Sequence, residues 1–413
     1  MLSVPSVRDG SLTQSRYNKA RMQTLSAATI DEAATMSTLQ IGLEWFPDGI
    51  GGGSSRVFST LTDYFKLERV TVHGIVTGRN AITEPRCDGI RIICANDASL
   101  KERLRAARSA VGEILARNRV DIVASHFPLF TFACLDLLNH LPIIVHFHGP
   151  WAAESRLEGG SPLVTSSQFV IEKLVYARAE RAIVLTRAFR DILHQAYGVP
   201  LEKIRVIPGG VDVETFNPSP SRPDARIRLG LPLDRPVIVA VRRLAKRMGL
   251  ENLISSFAHL RKVNAGAVLV IVGSGHLADA LKQQAQECEL ADSIIFAGRV
   301  PEAELPLYYR AADVSVVPSL ALEGFGLVVA ESLACGTPAL VTPIGGLPEV
   351  VSGLSRELIF EDSSSAAMAR GVHAALTGAL ALPSADACAA YARQHFSWPI
   401  IARQVKSVYG EVL

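Results

Sequence analysis

The sequence has few cysteines, little net charge and no long apolar run. Its 6 cysteines are scattered over 413 residues without a C-x-x-C pair, which argues against a disulfide framework or a cysteine-based zinc site and indicates buried thiols in a reducing compartment. The net charge of +2, with no basic patch interleaved with aromatic residues, argues against a nucleic-acid partner. No stretch approaches the roughly 18 apolar residues that a membrane-spanning helix needs. These features predict a cytoplasmic protein.

The first residues also lack the apolar segment of a secretory signal. Residues 1–37 are polar and rich in Ser, Thr and Ala, so we expect a mobile extension before the fold. The hydrophobic fraction of 48% is typical of globular proteins. A chain of 413 residues favours two domains over one.

Short, continuous runs of apolar and β-branched residues recur from Gln40 onward and alternate with helical periodicity. Such runs are typical of strands covered on both faces, and the alternation predicts α/β domains with parallel, doubly wound sheets. Proline and charge replace this pattern at residues 209–236, which we interpret as the interdomain segment. We therefore expect domains over residues 38–212 and 213–390, facing a cleft. Ligands of such sheets bind beyond the carboxyl ends of the strands.

Two carboxylates, Glu323 and Glu331, lie in the otherwise apolar and glycine-rich stretch 320–346. Burying an unpaired charge is costly, so each carboxylate needs hydrogen-bond donors. A ribose diol would supply two hydroxyls to Glu331, and the hydroxyls of a second sugar would suit Glu323. The sequence predicts a helix that starts near Gly326 and Leu327, with its partial positive charge at the same place. The alternative is that Glu331 pairs with a core arginine and Glu323 is a solvated loop residue.

Four cations follow the apolar run 236–241 directly. A cluster of this kind at the end of a strand suggests a bound diphosphate, because guanidinium groups can bind phosphate oxygens in pairs. The alternative is a solvated basic turn. The four residues are Arg242, Arg243, Lys246 and Arg247.

Glycines follow two other strands. Gly52 and Gly53 precede a predicted helix, so their backbone N–H groups could approach an anion at its N-terminus. Gly273 would allow a similar close approach, and Val300 could offer its backbone to a flat base. Plain turns are the alternative at each glycine.

Three histidines lie at the ends of neighbouring predicted strands: His126, His146 and His148. We weigh a metal site here and disfavour it, because no carboxylate or cysteine joins them at ligand spacing and the chain has no Asp-x-Asp. His148, which directly precedes Gly149 and Pro150, is instead predicted to hydrogen-bond a polar ligand.

In these features the sequence resembles the retaining nucleotide-sugar glycosyltransferases of family 4, which have the GT-B architecture. The resemblance rests chiefly on the E-x7-E signature formed by Glu323 and Glu331 within residues 318–351. It extends from about Leu39 to the C-terminus. It implies two Rossmann-like domains that face a cleft, and a final helix, within residues 391–413, that returns to the first domain.

The resemblance also implies a role for each candidate residue. Glu331 would bind the ribose, Glu323 would lie by the donor sugar and α-phosphate, and Arg243 would hold the diphosphate. His148 would touch the donor sugar near its C6 hydroxyl. The predicted catalytic residues are therefore His148, Glu323 and Arg243. The predicted donor-binding residues are Gly52, Gly53, Arg243, Arg247, Gly273, Val300, Glu323, Gly324, Phe325, Gly326, Leu327 and Glu331.

The sequence departs from the family at one position. Family members usually carry a phosphate-binding lysine before a glycine, and here Met248 precedes Gly249. We assign that role to Arg247, with Lys246 as the alternative.

The predicted reaction moves a hexose from a nucleoside-diphosphate sugar to an acceptor hydroxyl, with retention and without a metal or another cofactor. A UDP-sugar is favoured over GDP-mannose as the donor, and the acceptor is a small molecule, a glycan or a lipid. A nucleotide-sugar epimerase, a phosphorylase and a non-enzymatic sugar-nucleotide sensor are the alternatives. A phosphorylase would need a lysine that carries pyridoxal phosphate, and the second half of the chain has few lysines.

The helix predicted from Leu100 is basic and amphipathic. Such a helix could place the protein peripherally on the inner face of an anionic membrane, and a solvated surface helix is the alternative.

Overall fold

The computed structural model describes residues 36–46, 52–78 and 89–413. The chain divides into two compact units. The C-terminal unit is Gly210–Ser397, and the N-terminal unit comprises the described residues up to Gly209 together with Trp398–Leu413. The extension predicted over residues 1–37 lies outside the described residues except for its last two, which begin the first strand.

The N-terminal unit is built on a parallel sheet. Its strands are β1 (Met36–Glu44), β2 (Val70–Gly78), β3 (Ile90–Ala95), β4 (Ile122–Ser125), β5 (Ile143–Phe147), β6 (Ala179–Val184) and β7 (Ile204–Val206). They lie in the order β3-β2-β1-β4-β5-β6-β7. Its helices before the second unit are α1 (Gly53–Leu67), α2 (Leu100–Arg117), α3 (Pro128–Phe132), α4 (Trp151–Leu157), α5 (Pro162–Ala177) and α6 (Arg187–Tyr197), with a 3-10 turn at Leu201–Lys203.

The C-terminal unit repeats this design with a five-stranded parallel sheet. Its strands are β8 (Val237–Val241), β9 (Val268–Val272), β10 (Ile294–Gly298), β11 (Val314–Val317) and β12 (Ala339–Val341), in the order β10-β9-β8-β11-β12. Its helices are α7 (Arg222–Leu229), α8 (Leu250–Val263), α9 (Ala278–Glu287), α10 (Leu305–Ala311), α11 (Leu327–Ala334), α12 (Leu347–Val351), α13 (Ser365–Thr377) and α14 (Ala385–Phe396). Two 3-10 turns lie at Lys246–Met248 and Arg356–Leu358.

The strands are buried as their continuous apolar runs predict. All residues of β5 and β9 are buried, because helices cover both faces of a parallel sheet. The prediction of two doubly wound α/β domains is confirmed.

The final helix, α15 (Trp398–Gly410), packs in the N-terminal unit. Its Trp398 stacks on Tyr64 with ring centroids 6.1 Å apart, and its Tyr409 meets Phe65 edge-on at 5.3 Å. The prediction that the last helix returns to the first domain is therefore confirmed. The chain passes between units at 209/210 and 397/398, whereas the sequence placed these points at 212/213 and 390/391.

The predicted interdomain segment 209–236 contains a helix, α7, which the sequence analysis missed. The side chain of Arg226 is buried, so the helix has no continuous apolar stripe that the sequence could reveal. Its guanidinium donates to the carbonyl groups of Ala311, Pro232, Leu233 and Arg235 and pairs with Asp313. A charged residue thus takes a core position that an apolar residue usually occupies.

Helix α2 buries its apolar side in the N-terminal unit, where Ala107, Ala110, Val111 and Ile114 face the core. Its exposed side is charged, and Arg108 forms an ion pair with Asp136 at 2.5 Å. Among the described residues no helix is long and apolar enough to cross a membrane.

The described cysteines are all free thiols. Cys134, Cys335 and Cys388 are buried, as predicted. The prediction is wrong for Cys94 and Cys288, which are partly exposed. Cys87 lies outside the described residues.

Candidate functional site

Candidate residues of the C-terminal unit follow three neighbouring strands. Arg242 comes directly after β8, Gly273 directly after β9, and Ser319 two residues after β11. The sheet order places β8 between β9 and β11. The chain therefore continues from β8 to β9 and β10 on one side of β8, and then crosses to β11 and β12 on its other side. This is the switch point at which ligands of doubly wound sheets bind.

Glu323 is held by a buried arginine. The Arg242 Nη2 donates to both Glu323 Oε2 and Ser319 Oγ, and Ser319 Oγ donates to the same carboxylate oxygen at 3.0 Å. Burial by itself would raise the pKa of Glu323, but the charges of Arg242 and Arg247 and these hydrogen bonds outweigh it and lower that pKa. With 14% of its side chain exposed, Glu323 is a largely buried carboxylate. The alternative of a solvated loop residue is wrong.

The other three cations after β8 lie closer to solvent. Arg243 and Lys246 are exposed, and Arg247 is partly exposed. Arg247 Nη1 donates to the carbonyl of Leu322 at 3.0 Å, which ties the 3-10 turn to the loop that carries Glu323. The cluster is therefore divided: Arg242 is buried and Arg243 is exposed to solvent.

Gly273 is required by close packing of the protein itself. Its φ is +138°, and a Cβ atom there would lie 1.9 Å from the carbonyl oxygen of Arg242. The glycine after β9 thus lets this loop approach the loop after β8. Val300, after β10, is partly buried.

Helix α11 begins after Gly326, which adopts a left-handed conformation with φ +75°. Phe325 is buried against Phe396, with ring centroids 5.3 Å apart. Gly324 is also buried, and Leu327, the first helical residue, is partly exposed. The glycines and Phe325 thereby fix the chain's entry into the helix.

Glu331 lies in the second turn of α11 and is 3% exposed. Its Oε2 accepts a hydrogen bond of 2.9 Å from the hydroxyl of Tyr309, which is itself fully buried. The predicted burial of this carboxylate is confirmed.

The N-terminal unit places its candidate residues after β1, β4 and β5, which are neighbours in the sheet. Gly52 and Gly53 are exposed at the N-terminus of α1. His126 follows β4 directly, and the partly exposed His148 follows β5.

The three histidines contact one another through ring stacking and one hydrogen bond. The rings of His126 and His146 stack with centroids 4.0 Å apart, and His126 Nδ1 lies 3.1 Å from His148 Nε2. Burial lowers the pKa of His148 to about 4. Burial, together with the neighbouring imidazoles, also lowers the pKa of His126 well below its usual value.

The segment after His148 is anchored by Glu172, which is fully buried on α5. Its carboxylate accepts hydrogen bonds from the backbone N–H groups of Trp151 at 2.7 Å and Ala152 at 3.1 Å. The hydroxyls of Tyr197 and Tyr176 donate to it at 3.0 and 3.3 Å. Burial raises the pKa of Glu172 to about 7, although these hydrogen bonds lower it.

This carboxyl gives the protein a pH-dependent stability that the Glu172→Gln variant lacks. Between the usual pKa of 4.5 and the raised value of about 7, the folded state binds a proton that the unfolded state does not. The wild type therefore gains stability, relative to the variant, as pH falls from 8 to 5. The gain is about 2–3 kcal/mol, measured as the difference in unfolding free energy by urea titration.

Glu180→Gln, the same substitution at an exposed carboxylate of the same unit, is the matched control. A difference between wild type and Glu172→Gln that stays constant from pH 8 to 5 would contradict the raised pKa.

Sequence analysis missed several residues of these clusters. It listed Arg242 only as one of four cations, and it gave no role to Ser319, Tyr309 or Glu172. Arg242 lies 77 residues from Ser319, Tyr309 lies 22 residues from Glu331, and the two backbone N–H donors to Glu172 lie 20 and 21 residues from it. No local pattern connects positions so far apart.

Comparison with protein families gives two matches. The family described as "Glycosyltransferase Family 4" matches residues 51–215. The family described as "Glycosyl transferases group 1" matches residues 221–395. The two matches follow one another along the chain and together cover most of it.

The chain is also similar to curated proteins. It is 33% identical over 250 residues to the D-inositol 3-phosphate glycosyltransferase of Xylanimonas cellulosilytica, covering 58% of this chain and 59% of that protein. It is 34% identical over 182 residues to a GDP-mannose-dependent alpha-(1-6)-phosphatidylinositol monomannoside mannosyltransferase of Mycobacterium tuberculosis, covering 42% of this chain and 47% of the relative. The chain thus spans about half to three-fifths of the length of these relatives.

Solved structures share the fold. Sucrose-phosphate synthase from Thermosynechococcus elongatus superimposes with a TM-score of 0.76 at 22% identity, covering 91% of this chain and 99% of that one. Anabaena HepE in complex with UDP-glucose gives 0.74 at 20% identity, covering 91% and 100%. These likenesses show the GT-B fold, and the two family matches, which together span most of the chain, show that it belongs to the family 4 glycosyltransferases.

Proposed function

We propose that this chain is an enzyme that transfers a hexose from a nucleoside-diphosphate sugar to an acceptor hydroxyl, with retention at the anomeric carbon. The observation that carries the proposal is the buried carboxylate of Glu331, on a helix that begins beyond the carboxyl end of β11. A carboxylate accepts several hydrogen bonds, so its oxygens could accept from the two hydroxyls of a ribose as well as from Tyr309. Family membership supports the same role.

The diphosphate would be bound by groups that surround Glu323. Arg243 is exposed beside the buried Arg242, and Arg247 is partly exposed on the following turn. Both guanidinium groups can donate paired hydrogen bonds to phosphate oxygens. The N-terminus of α11, after Gly326, adds a partial positive charge, so this end of the sheet favours an anion.

Glu323 would accept hydrogen bonds from hydroxyls of the donor sugar. Arg242 and Ser319 hold it as a carboxylate with a lowered pKa, so it is available as an acceptor at neutral pH. Gly273 would contact the donor through its backbone, and Val300 would do the same for the base.

The N-terminal unit would supply further contacts to the donor. The exposed N–H groups of Gly52 and Gly53 at the start of α1 suit the diphosphate. His148 would hydrogen-bond the donor sugar near its C6 hydroxyl.

The proposed chemistry needs stabilisation of the leaving group more than it needs a nucleophile on the enzyme. The bond between the anomeric carbon and the diphosphate oxygen breaks, and the acceptor oxygen forms its bond on the same face. The acceptor proton passes to the departing diphosphate. Preorganised donors such as Arg243 and Arg247 are worth about 3 kcal/mol each in such a step, and we propose that they act without a divalent metal.

A UDP-sugar is the proposed donor, and GDP-mannose is the alternative. The alternative is supported by the relative that is named as GDP-mannose-dependent. The names of the relatives also favour inositol phosphates and phosphatidylinositol mannosides as acceptors to try. If the acceptor is a lipid, the protein should sediment with anionic vesicles.

A thermal-shift panel of UDP, GDP, ADP and dTDP, each with its common sugars, tests the proposal. A ligand at 100 times its Kd stabilises the folded state by about 2.7 kcal/mol, so the correct nucleotide should raise the melting temperature by several degrees. The donor identified is then incubated with the acceptors, and NMR of the product should show the anomeric configuration of the donor. Failure of every nucleotide to stabilise the protein would contradict the proposal.

The products separate this proposal from its rivals. A transferase releases nucleoside diphosphate in proportion to the acceptor that it consumes. An epimerase releases free or epimerised sugar without an acceptor, and a phosphorylase shows the absorbance of pyridoxal phosphate.

A further inference from the structure

A chain of hydrogen bonds runs across four neighbouring strands of the N-terminal unit and ends at His148. Thr38 Oγ1 lies 3.2 Å from the carbonyl oxygen of Thr71, and Gln40 Nε2 lies 3.1 Å from Thr38 Oγ1. Gln40 Oε1 lies 2.9 Å from His126 Nε2, and His126 Nδ1 lies 3.1 Å from His148 Nε2. The chain follows the order β2-β1-β4-β5 of the sheet.

The carbonyl of Thr71, at the start of the chain, determines which atom donates in every later hydrogen bond. A carbonyl oxygen only accepts, so the single hydroxyl proton of Thr38 is donated to Thr71. Thr38 Oγ1 must then accept from the amide nitrogen of Gln40. This orientation points Gln40 Oε1, which is an acceptor, at His126.

The imidazoles of His126 and His148 continue this order of donors and acceptors. Burial lowers the pKa of both rings, so at neutral pH each ring carries one N–H and one lone pair. His126 must donate its Nε2–H to Gln40, which leaves Nδ1 as an acceptor. His148 must therefore donate its Nε2–H to His126 and keep a lone pair on Nδ1.

Two further side chains keep this arrangement in place. His146 stacks on His126 with ring centroids 4.0 Å apart. Tyr409, on the returning helix α15, lies 2.7 Å from His146 Nε2 and 3.4 Å from Gln40 Nε2. The tyrosine oxygen can accept from Gln40 while it donates to His146, so it supports the same amide orientation.

We propose that Gln40 and His126 are positioning residues that fix His148 in its Nε2–H tautomer, so that Nδ1 accepts a hydrogen bond from a hydroxyl of the donor sugar. This rests on the proposed function, in which His148 meets the C6 hydroxyl. A neutral ring with a lone pair favours a hydroxyl and disfavours a carboxylate or a methyl group at that position. The chain would therefore select nucleoside-diphosphate hexoses over the corresponding uronic acids and 6-deoxy sugars.

Nitrogen NMR of the full chain labelled with ¹⁵N-histidine tests the tautomer without any donor. At neutral pH the expected spectrum shows His148 with a protonated Nε2, a pyridine-type Nδ1 and a coupling through the hydrogen bond to His126 Nδ1. In the Gln40→Leu variant the His148 signals should shift toward a mixture of tautomers. Thr165→Val, which replaces a buried hydroxyl elsewhere in the same unit, should leave them unchanged.

The wild-type spectrum keeps the proposal testable if Gln40→Leu does not fold. A His148 that carries its proton on Nδ1, or that is charged at neutral pH, would overturn the inference.

A kinetic experiment tests the consequence for the donor. With the nucleotide identified by the panel, kcat and KM are compared for UDP-glucose and UDP-6-deoxyglucose, or for GDP-mannose and GDP-6-deoxymannose. Loss of one hydrogen bond predicts that Gln40→Leu reduces the preference for the hydroxylated sugar roughly threefold to tenfold. An unchanged preference would overturn the inference. Failure of all nucleotides to bind would overturn the proposed function and leave the tautomer result standing.

Discussion

Replacing Glu331 with glutamine is expected to lower kcat/KM by roughly 10²–10⁴-fold while the protein stays folded. Each hydrogen bond to a charged group contributes about 1.5–3 kcal/mol, and the proposal gives Glu331 two of them with the ribose. Because binding energy from a remote group also positions the reacting centre, kcat should fall together with a rise in KM. Initial rates over a range of donor concentrations measure both.

Two variants control this experiment. Glu357→Gln changes an exposed carboxylate of the same unit and should retain wild-type rates. Tyr309→Phe removes the hydroxyl that donates to Glu331 but keeps the carboxylate, so it should cost less than about tenfold. Wild-type activity in a folded Glu331→Gln protein would remove Glu331 from the site.

We expect methionine at position 242 to lower mainly the stability of the protein, and methionine at the neighbouring Arg243 to lower mainly its activity. Arg242→Met removes the cation that pairs directly with the largely buried Glu323, which should reduce the free energy of unfolding by about 3–5 kcal/mol. Arg243 is exposed, so Arg243→Met should cost less than about 1 kcal/mol. Its kcat/KM should nevertheless fall roughly 10²–10³-fold, because a group that stabilises the leaving diphosphate is lost.

Urea titration and initial rates on both variants measure this contrast. The double variant Arg242→Met/Glu323→Leu should recover much of the lost stability, because no unpaired charge is left buried. Equal stability losses in Arg242→Met and Arg243→Met would contradict the division of the cluster. Wild-type rates in Arg243→Met would remove it from the diphosphate site.

Sequence reasoning succeeded where local patterns determine the structure. Continuous apolar runs predicted the strands, because parallel strands are covered on both faces. The burial of Glu331 followed from a helix that is apolar on all its other sides. The glycines around Phe325 located the start of that helix correctly.

It fell short where distant residues decide the outcome. Arg226 occupies a core position because it finds carbonyl partners on other segments, so α7 lacks the usual apolar stripe. The buried Arg242 cannot be told from the exposed Arg243 without knowing where Glu323 lies. Gln40 and His126 are 86 residues apart, and only the sheet order brings them together.

The most direct test is a crystal of this protein soaked with the nucleotide sugar that the panel identifies. The account predicts that both ribose hydroxyls lie within hydrogen-bond distance of the Glu331 carboxylate, with the diphosphate against Arg243 and the N-terminus of α11. A bound nucleotide whose ribose does not touch Glu331, with that carboxylate bonded only to protein groups, would contradict it.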